Sequence, residues 1–424
     1  MWEFIIDFRF VHAIIFISRT ISKKAANILK KIFVLLLIPV LLLSAAGCSQ
    51  QYSVQTPMEY PDYTFADTPS TSELRETAVE AMRNILTIQW SPGSEISYFN
   101  TAGRDKQFDY VPNTTYGGIL YSGAGSGLFQ FLEFYDPQTG QLNYPGSTYD
   151  LKTTIGSGCA DALLWGWNTV SNSFYGGHYP TFMVYQNGYY PVGDYTYKES
   201  LKSYYILPTK TIIEQNGVDV MLDSYSKMLP ADALVSSSDD HAMMVIEAPT
   251  VQYLSDGSVD AANSYVLIQD QRGGNSSTDF FEITENGHTI HYNGRTSFKF
   301  TFEELLEDDY IPVTTAEFLG IKAYEKAEVT VEGTCSTIQE LLTKTVQSNY
   351  PLAVVNVLAV DANGTETVID RTLFSAAGTT GVPRSYAMDE SDELESFDPG
   401  SYACIKVEVV VSTGERFVPI EFTL

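Results

Sequence analysis

The chain has 424 residues, with 25 Lys and Arg against 52 Asp and Glu, a formal net charge of −27. So acidic a balance argues against nucleic acid as a partner and against anionic lipid held by charge. Cysteine is scarce, with four in the whole chain.

In chain order, Lys23, Lys24, Lys30 and Lys31 precede an apolar run from Ile32 to Leu43, and the small residues Ala45, Ala46 and Gly47 lead to Cys48. Basic, apolar and small segments in that order predict a signal peptide over residues 1–48 rather than a spanning helix. Small residues ending at a cysteine resemble a bacterial lipobox, and the resemblance implies that Cys48 is lipidated and anchors the chain. Glu3 and Asp7 suit no export signal, so translation is expected to start near residues 18–22; sequencing the precursor's N-terminus tests this, and a fragment containing Trp2 refutes it. Residues 1–48 hold six basic and two acidic residues, which leaves 19 basic and 50 acidic, net −31, in the expected mature chain. An extracytoplasmic body is implied, touching the membrane through lipid alone.

Residues 49–70 are polar and proline-bearing without a period, and read as a linker. About 375 mature residues suggest two domains beyond it, 71–324 and 325–424. The first opens with Ser70 and Glu73, a capping box ahead of Leu74, Ala78, Met82, Ile85 and Ile88 at helical spacing, and the helix is predicted to stop before Pro92. Residues 116–140 read as a glycine-rich, aromatic loop that contains Tyr121.

The chemistry centres on residues 155–170, IGSGCADALLWGWNTV. Ala160, Leu163, Leu164, Trp167 and Val170 recur at three- and four-residue spacing, which predicts a helix with Cys159 in its first turn. Unpaired N–H groups and the positive end of the helix dipole favour a thiolate there. Gly156 and Gly158 leave the sulfur accessible to a carbonyl, whose oxyanion the Cys159 amide can help hold. A cysteine before a helix can equally be a small packed side chain, so its partners decide.

His178, among turn formers, reads as a loop histidine. His241 is the better base, because a polar loop runs through it into an apolar strand, Ala242 to Ile246, that fixes the imidazole. A turn-rich connection and a second strand, residues 264–272, follow. Paired antiparallel, the strands can bring Asp270 or Gln271 to His241, and alternation allows only one of them on the histidine's face. A carboxylate would stabilise the imidazolium, whereas an amide would only orient the ring.

GSGCADALLWGW, DDHAMMVI and SYVLIQDQ together resemble the papain-like cell-wall hydrolases of the NlpC and CHAP types, over roughly residues 72–310. The resemblance implies an α+β, papain-like domain with an antiparallel sheet and a nucleophile helix near its start. It places the nucleophile at Cys159, the base and acid at His241, the orienting residue at Asp270 and an oxyanion tyrosine at Tyr121. Departures are Gly158 and Ala160 flanking the cysteine, Arg272 where CHAP-type members carry asparagine, and a long Cys–His separation of 82 residues. GSGCADA also resembles the nucleophile turn of transglutaminase-like domains.

His288 and His291 lie three residues apart on an expected strand and so face opposite sides, which predicts a structural hairpin and no metal. Glu303, Glu304, Glu307, Asp308 and Asp309 around Phe302, Leu305 and Leu306 read as the solvated face of a helix. Beyond residue 325, alternating strands and Asn-Gly and Thr-Gly turns predict an all-β, immunoglobulin-like sandwich. Cys335 and Cys404 fall within it, either as separate thiols or as a disulfide.

The whole predicts a lipid-anchored, monomeric cysteine hydrolase that needs no cofactor and cleaves an amide of peptidoglycan or a surface peptide. An inactive adhesin or scaffold on the same fold, and a transglutaminase-like acyl transferase, are the alternatives.

Overall fold

Ser70 caps the first helix as its sequence predicts. Its hydroxyl accepts from the Glu73 N–H and the Glu73 carboxylate accepts from the Ser70 N–H, opening helix α1, Thr71–Thr87. The helix ends one residue short of Ile88, because residues 89–92 leave it as a strand whose last residue is Pro92. A computed structural model describes residues 60–99, 107–121, 128–144, 155–173, 183, 189–196, 208–272, 281–285, 287–374, 383–395, 397–400 and 402–424. The expected signal peptide, Cys48 and His178 lie outside the described residues. Among the described residues no helix is long and apolar enough to cross a membrane.

The chain is α+β, with short helices and mostly antiparallel sheets. One sheet positions the candidate site. Its strands are β1 (Tyr189–Pro191), β2 (Ala233–Ser236), β3 (His241–Val245), β4 (Tyr265–Gln271), β5 (Gly294–Thr301) and β6 (Ile311–Thr315), paired antiparallel in the order β5-β4-β3-β2-β6-β1. A second sheet is mixed. It is formed by residues 281–285, 288–292, 115–117, 89–92, 141–142 and 135–136, in that order, and 288–292 with 115–117 and 89–92 with 141–142 pair in parallel.

The segment 116–140, expected to be a loop, contains in addition a short helix, α2 (Leu128–Leu132), all of whose residues are buried. Phe129 packs edge-on against Tyr60 and Trp165 and Phe131 against Trp90, and burial of all five residues marks a helix sunk in a core rather than an amphipathic one. Helix α3, Cys159–Asn168, lies against α1 and strands β3 and β4, and Gly166 sits at the contact. A Cβ there would stand 2.6 Å from the Ala78 carbonyl oxygen of α1 and 3.0 Å from Cε of Met244. The Trp167 indole closes the same layer by donating to the Ala231 carbonyl at 2.8 Å. A buried ion pair, Arg75–Asp232 at 2.7 Å, ties α1 to the start of β2. Leu229 N–H and the Thr314 hydroxyl also donate to Asp232, so the buried carboxylate is well satisfied.

The C-terminal part holds an antiparallel four-stranded sheet and a three-stranded one around an apolar core that includes Val357, Ile405 and Phe422. It shares a second core with the rest of the chain, because Ala353, Val354 and Val410 pack with Trp90, Phe129 and Ile155. The described residues from Tyr60 to Leu424 accordingly belong to one compact unit. The expected linker is corrected at its end: Tyr60 and Tyr63 are buried, Tyr60 donates to Glu133 at 2.6 Å, and the Tyr63 N–H donates to the Thr413 carbonyl at 2.7 Å. Aromatic side chains outweigh the segment's polar composition at these positions.

Candidate active site

Cys159 is the first residue of α3, and the approach to it is fixed by backbone. Gly156 has φ +121°, which a side chain would strain, and the Ser157 N–H donates to the Leu120 carbonyl at 2.9 Å. Ser157 forms a parallel bridge to Tyr121, so Tyr121 runs beside the approach to the cysteine. The Asp161 carboxylate accepts from the Gly158 N–H at 3.2 Å and so occupies one of the free donors at the helix start.

His241 is presented by a tight turn. The Ser236 hydroxyl accepts from the N–H groups of Ser238 and Asp239 at 3.2 and 3.0 Å and donates to the Asp308 carbonyl at 2.7 Å. Asp240, with φ +50°, completes the turn, and its carbonyl lies 3.9 Å from the Cys159 sulfur. Asp239 accepts from the Tyr310 hydroxyl at 2.8 Å, anchoring the turn from a second side. The imidazole is thereby held at the mouth of α3, close enough to the Cys159 sulfur for the charge of one to act on the other.

The register of β3 and β4 selects the third residue. Ile268 lies opposite Val245, so two steps along each strand put Asp270 opposite Met243, and two more along β3 put His241 diagonal to Asp270 on the same face. His241 Nε2 and Asp270 Oδ2 are 2.8 Å apart, which leaves Nδ1 for the sulfur. Gln271 points to the other face, where its amide donates to the Ile119 carbonyl at 2.9 Å. Cys159 and His241 are each 5% exposed and Asp270 is 0% exposed.

Arg295, which sequence reading passed over, completes the cluster from β5. It pairs with Asp270 in the strand register, its Nε donates to Oδ1 at 2.9 Å, and its Nη2 donates to Oδ2. Nothing local marks it, because GRTSFKF reads as one more alternating strand.

Burial by itself pulls the His241 pKa down. The charge of the Cys159 sulfur and the bonded Asp270 carboxylate outweigh it and hold the imidazole up at about 9. Burial raises Asp270, yet hydrogen bonds from Arg295 and His241 hold its carboxyl down at about 2. Both directions favour an imidazolium over a carboxylate, the charge state that stabilises a neighbouring thiolate. A thiol on an imidazole whose far nitrogen is bound by a carboxylate is a geometry suited to nucleophilic attack and proton return.

The remaining candidates stand apart. His288 is exposed, and His291 lies 3.3 Å from Glu282 across the hairpin of residues 281–292. Cys335 and Cys404 are free thiols, Cys335 beside the Thr337 carbonyl and Cys404 beside Glu421. The acidic run forms a helix, Phe302–Glu307, with Phe302 and Leu305 buried and Glu303 and Glu304 outside. Comparison of the chain with family models, with curated proteins and with solved structures finds no match.

Proposed function

We propose that this protein is a cysteine hydrolase of papain-like type, lipid-anchored outside the cell membrane, that cleaves an amide of peptidoglycan stem peptides or of a surface peptide. The observation that carries the reading is the placement of His241 beside the Cys159 sulfur, with its Nε2 on the Asp270 carboxylate at 2.8 Å. The lipobox-like segment ending at Cys48 supports the location, and the seven strands of the two C-terminal sheets support an immunoglobulin-like sandwich.

In this reading the Cys159 thiolate attacks the amide carbonyl. A C–S bond forms, and the oxygen takes up the negative charge beside the Cys159 N–H and the Tyr121 segment. The His241 imidazolium gives its proton to the leaving nitrogen as the C–N bond breaks, leaving a thioester and a free amine. Neutral His241 then takes a proton from water, whose oxygen attacks the thioester. The C–S bond breaks, the carboxylic acid leaves and the thiolate–imidazolium pair is restored. Asp270 holds the ring through Nε2 in both steps.

The test is mass spectrometry of fragments released when residues 49–424 are incubated with purified Gram-positive peptidoglycan, beside Cys159→Ala. Fragments found only with the unaltered protein name the bond cut. No release by either folded protein overturns the hydrolase reading, and incorporation of a labelled amine into protein glutamine without peptide release moves it to an acyl transferase.

A further inference from the structure

Arg295 stands directly behind Asp270. Its guanidinium engages both carboxylate oxygens and, with its side chain only 9% exposed, lies among three phenylalanines. The ring centroid of Phe298 is 4.0 Å from its central carbon, that of Phe281 is 5.3 Å away and that of Phe300 is 5.7 Å away. Rings at these distances attract the cation and keep water from competing for it.

We propose that Arg295 is a positioning residue for the Cys159–His241–Asp270 site, fixing the plane of the Asp270 carboxylate and cancelling enough of its charge for the imidazole to release its proton. The proposal rests on reading Cys159 and His241 as a reacting pair.

Two physical arguments carry it. A carboxylate bound only to an imidazole can swing about its terminal torsion, whereas a planar fork on both oxygens leaves one direction in which Oδ2 can accept from Nε2. A fully buried carboxylate without a counter-charge would also stabilise the imidazolium strongly enough to make it a poor acid.

Among the described residues, few groups bear on the His241 charge. Cys159 reaches the ring from α3 and Asp270 from β4, with Arg295 behind it on β5. Asp239, bonded to Tyr310, and Asp240 belong to the turn that presents the ring, and Arg272 follows the end of β4.

The test follows the His241 ring by nuclear magnetic resonance in the full chain with nitrogen-labelled histidine. A Cys159→Ala background removes the sulfur's charge and makes the readout independent of turnover. Removing the positive charge in Arg295→Gln should raise the imidazole midpoint by about one pH unit. Arg295→Lys keeps the charge and loses the fork, so its midpoint should stay near the parent's while the low-field Nε2–H resonance weakens or disappears. An unchanged or lowered midpoint in Arg295→Gln overturns the proposal. If that variant does not fold, the lysine variant decides: a low-field proton as sharp as the parent's overturns the proposal, and its loss supports it. A shifted ring in a protein that releases no peptide would fail the hydrolase reading alone.

Discussion

The Ser412 hydroxyl donates to the Asn168 carbonyl at 2.8 Å, so the last residue of the helix that begins at Cys159 is held by a turn of the C-terminal four-stranded sheet. The far end of α3 is thus capped by a residue 244 positions away in sequence.

Ser412→Ala should therefore destabilise the protein by about 1 kcal/mol, the usual net loss for one hydrogen bond whose acceptor stays buried. Deleting residues 325–424 should do far more, because it strips Ala353, Val354 and Val410 from the core that holds Phe129 and Trp90. Thermal melts of both proteins check this, and a truncated chain that unfolds as cooperatively as the whole would show the two parts to be independent.

Thiol reactivity reads the Cys159–His241 contact. With an imidazole beside it to take its proton, Cys159 should alkylate at pH 6 at least about tenfold faster than a thiol without such a partner. His241→Ala should remove most of that advantage. Equal rates in the two proteins would make Cys159 a packed side chain and favour the inactive scaffold.

Stability should depend on pH through the same pair. The folded-state pKa of His241 is raised, from 6.5 to about 9, so its contribution is fully present below about pH 6.5 and is lost as pH rises through 9. That of Asp270 is depressed, from 3.8 to about 2, so its contribution is present above about pH 4 and is lost as pH falls through 2. The histidine shift corresponds to stability on the order of 3 kcal/mol. Urea unfolding of wild type and His241→Gln at pH 6 and pH 10 should show a gap that narrows at the higher pH. A gap of constant size would mean that His241 stabilises by packing alone.

Gly166→Ala tests how closely α3 approaches α1. Alanine favours a helix over glycine by about 1 kcal/mol, but its Cβ would stand 2.6 Å from the Ala78 carbonyl oxygen and 3.3 Å from the Met82 Cβ. Backbone cannot yield as a flexible side chain does, so the clash should win, with a net loss of about 1–3 kcal/mol. A urea midpoint equal to or above that of wild type would show that the two helices can separate without cost.

The sequence by itself determined the local pieces. Ser70 and Glu73 specify a helix start through contacts three residues apart, the apolar spacing after Cys159 specifies a helix, and the run after His241 specifies a strand. Each signal is complete within a few residues, so each survives without knowledge of the fold. The same spacing left Val170 just outside the helix it was assigned to, because periodicity marks the buried face more sharply than the last turn.

Only the tertiary structure decided the rest. Asp270 and Gln271 are adjacent, and the choice between them turns on the register of β3 against β4, which a shift of one residue would reverse. Arg295 reaches Asp270 across 25 positions through the pairing of β4 with β5, and no local pattern encodes which strand lies beside which. Tyr60, Tyr63 and Ser412 show the same limit: nothing local to them names their partners, which are Glu133, the Thr413 carbonyl and the Asn168 carbonyl. Sequence periodicity reports which face of an element is buried; what that face meets depends on contacts between segments far apart in the chain.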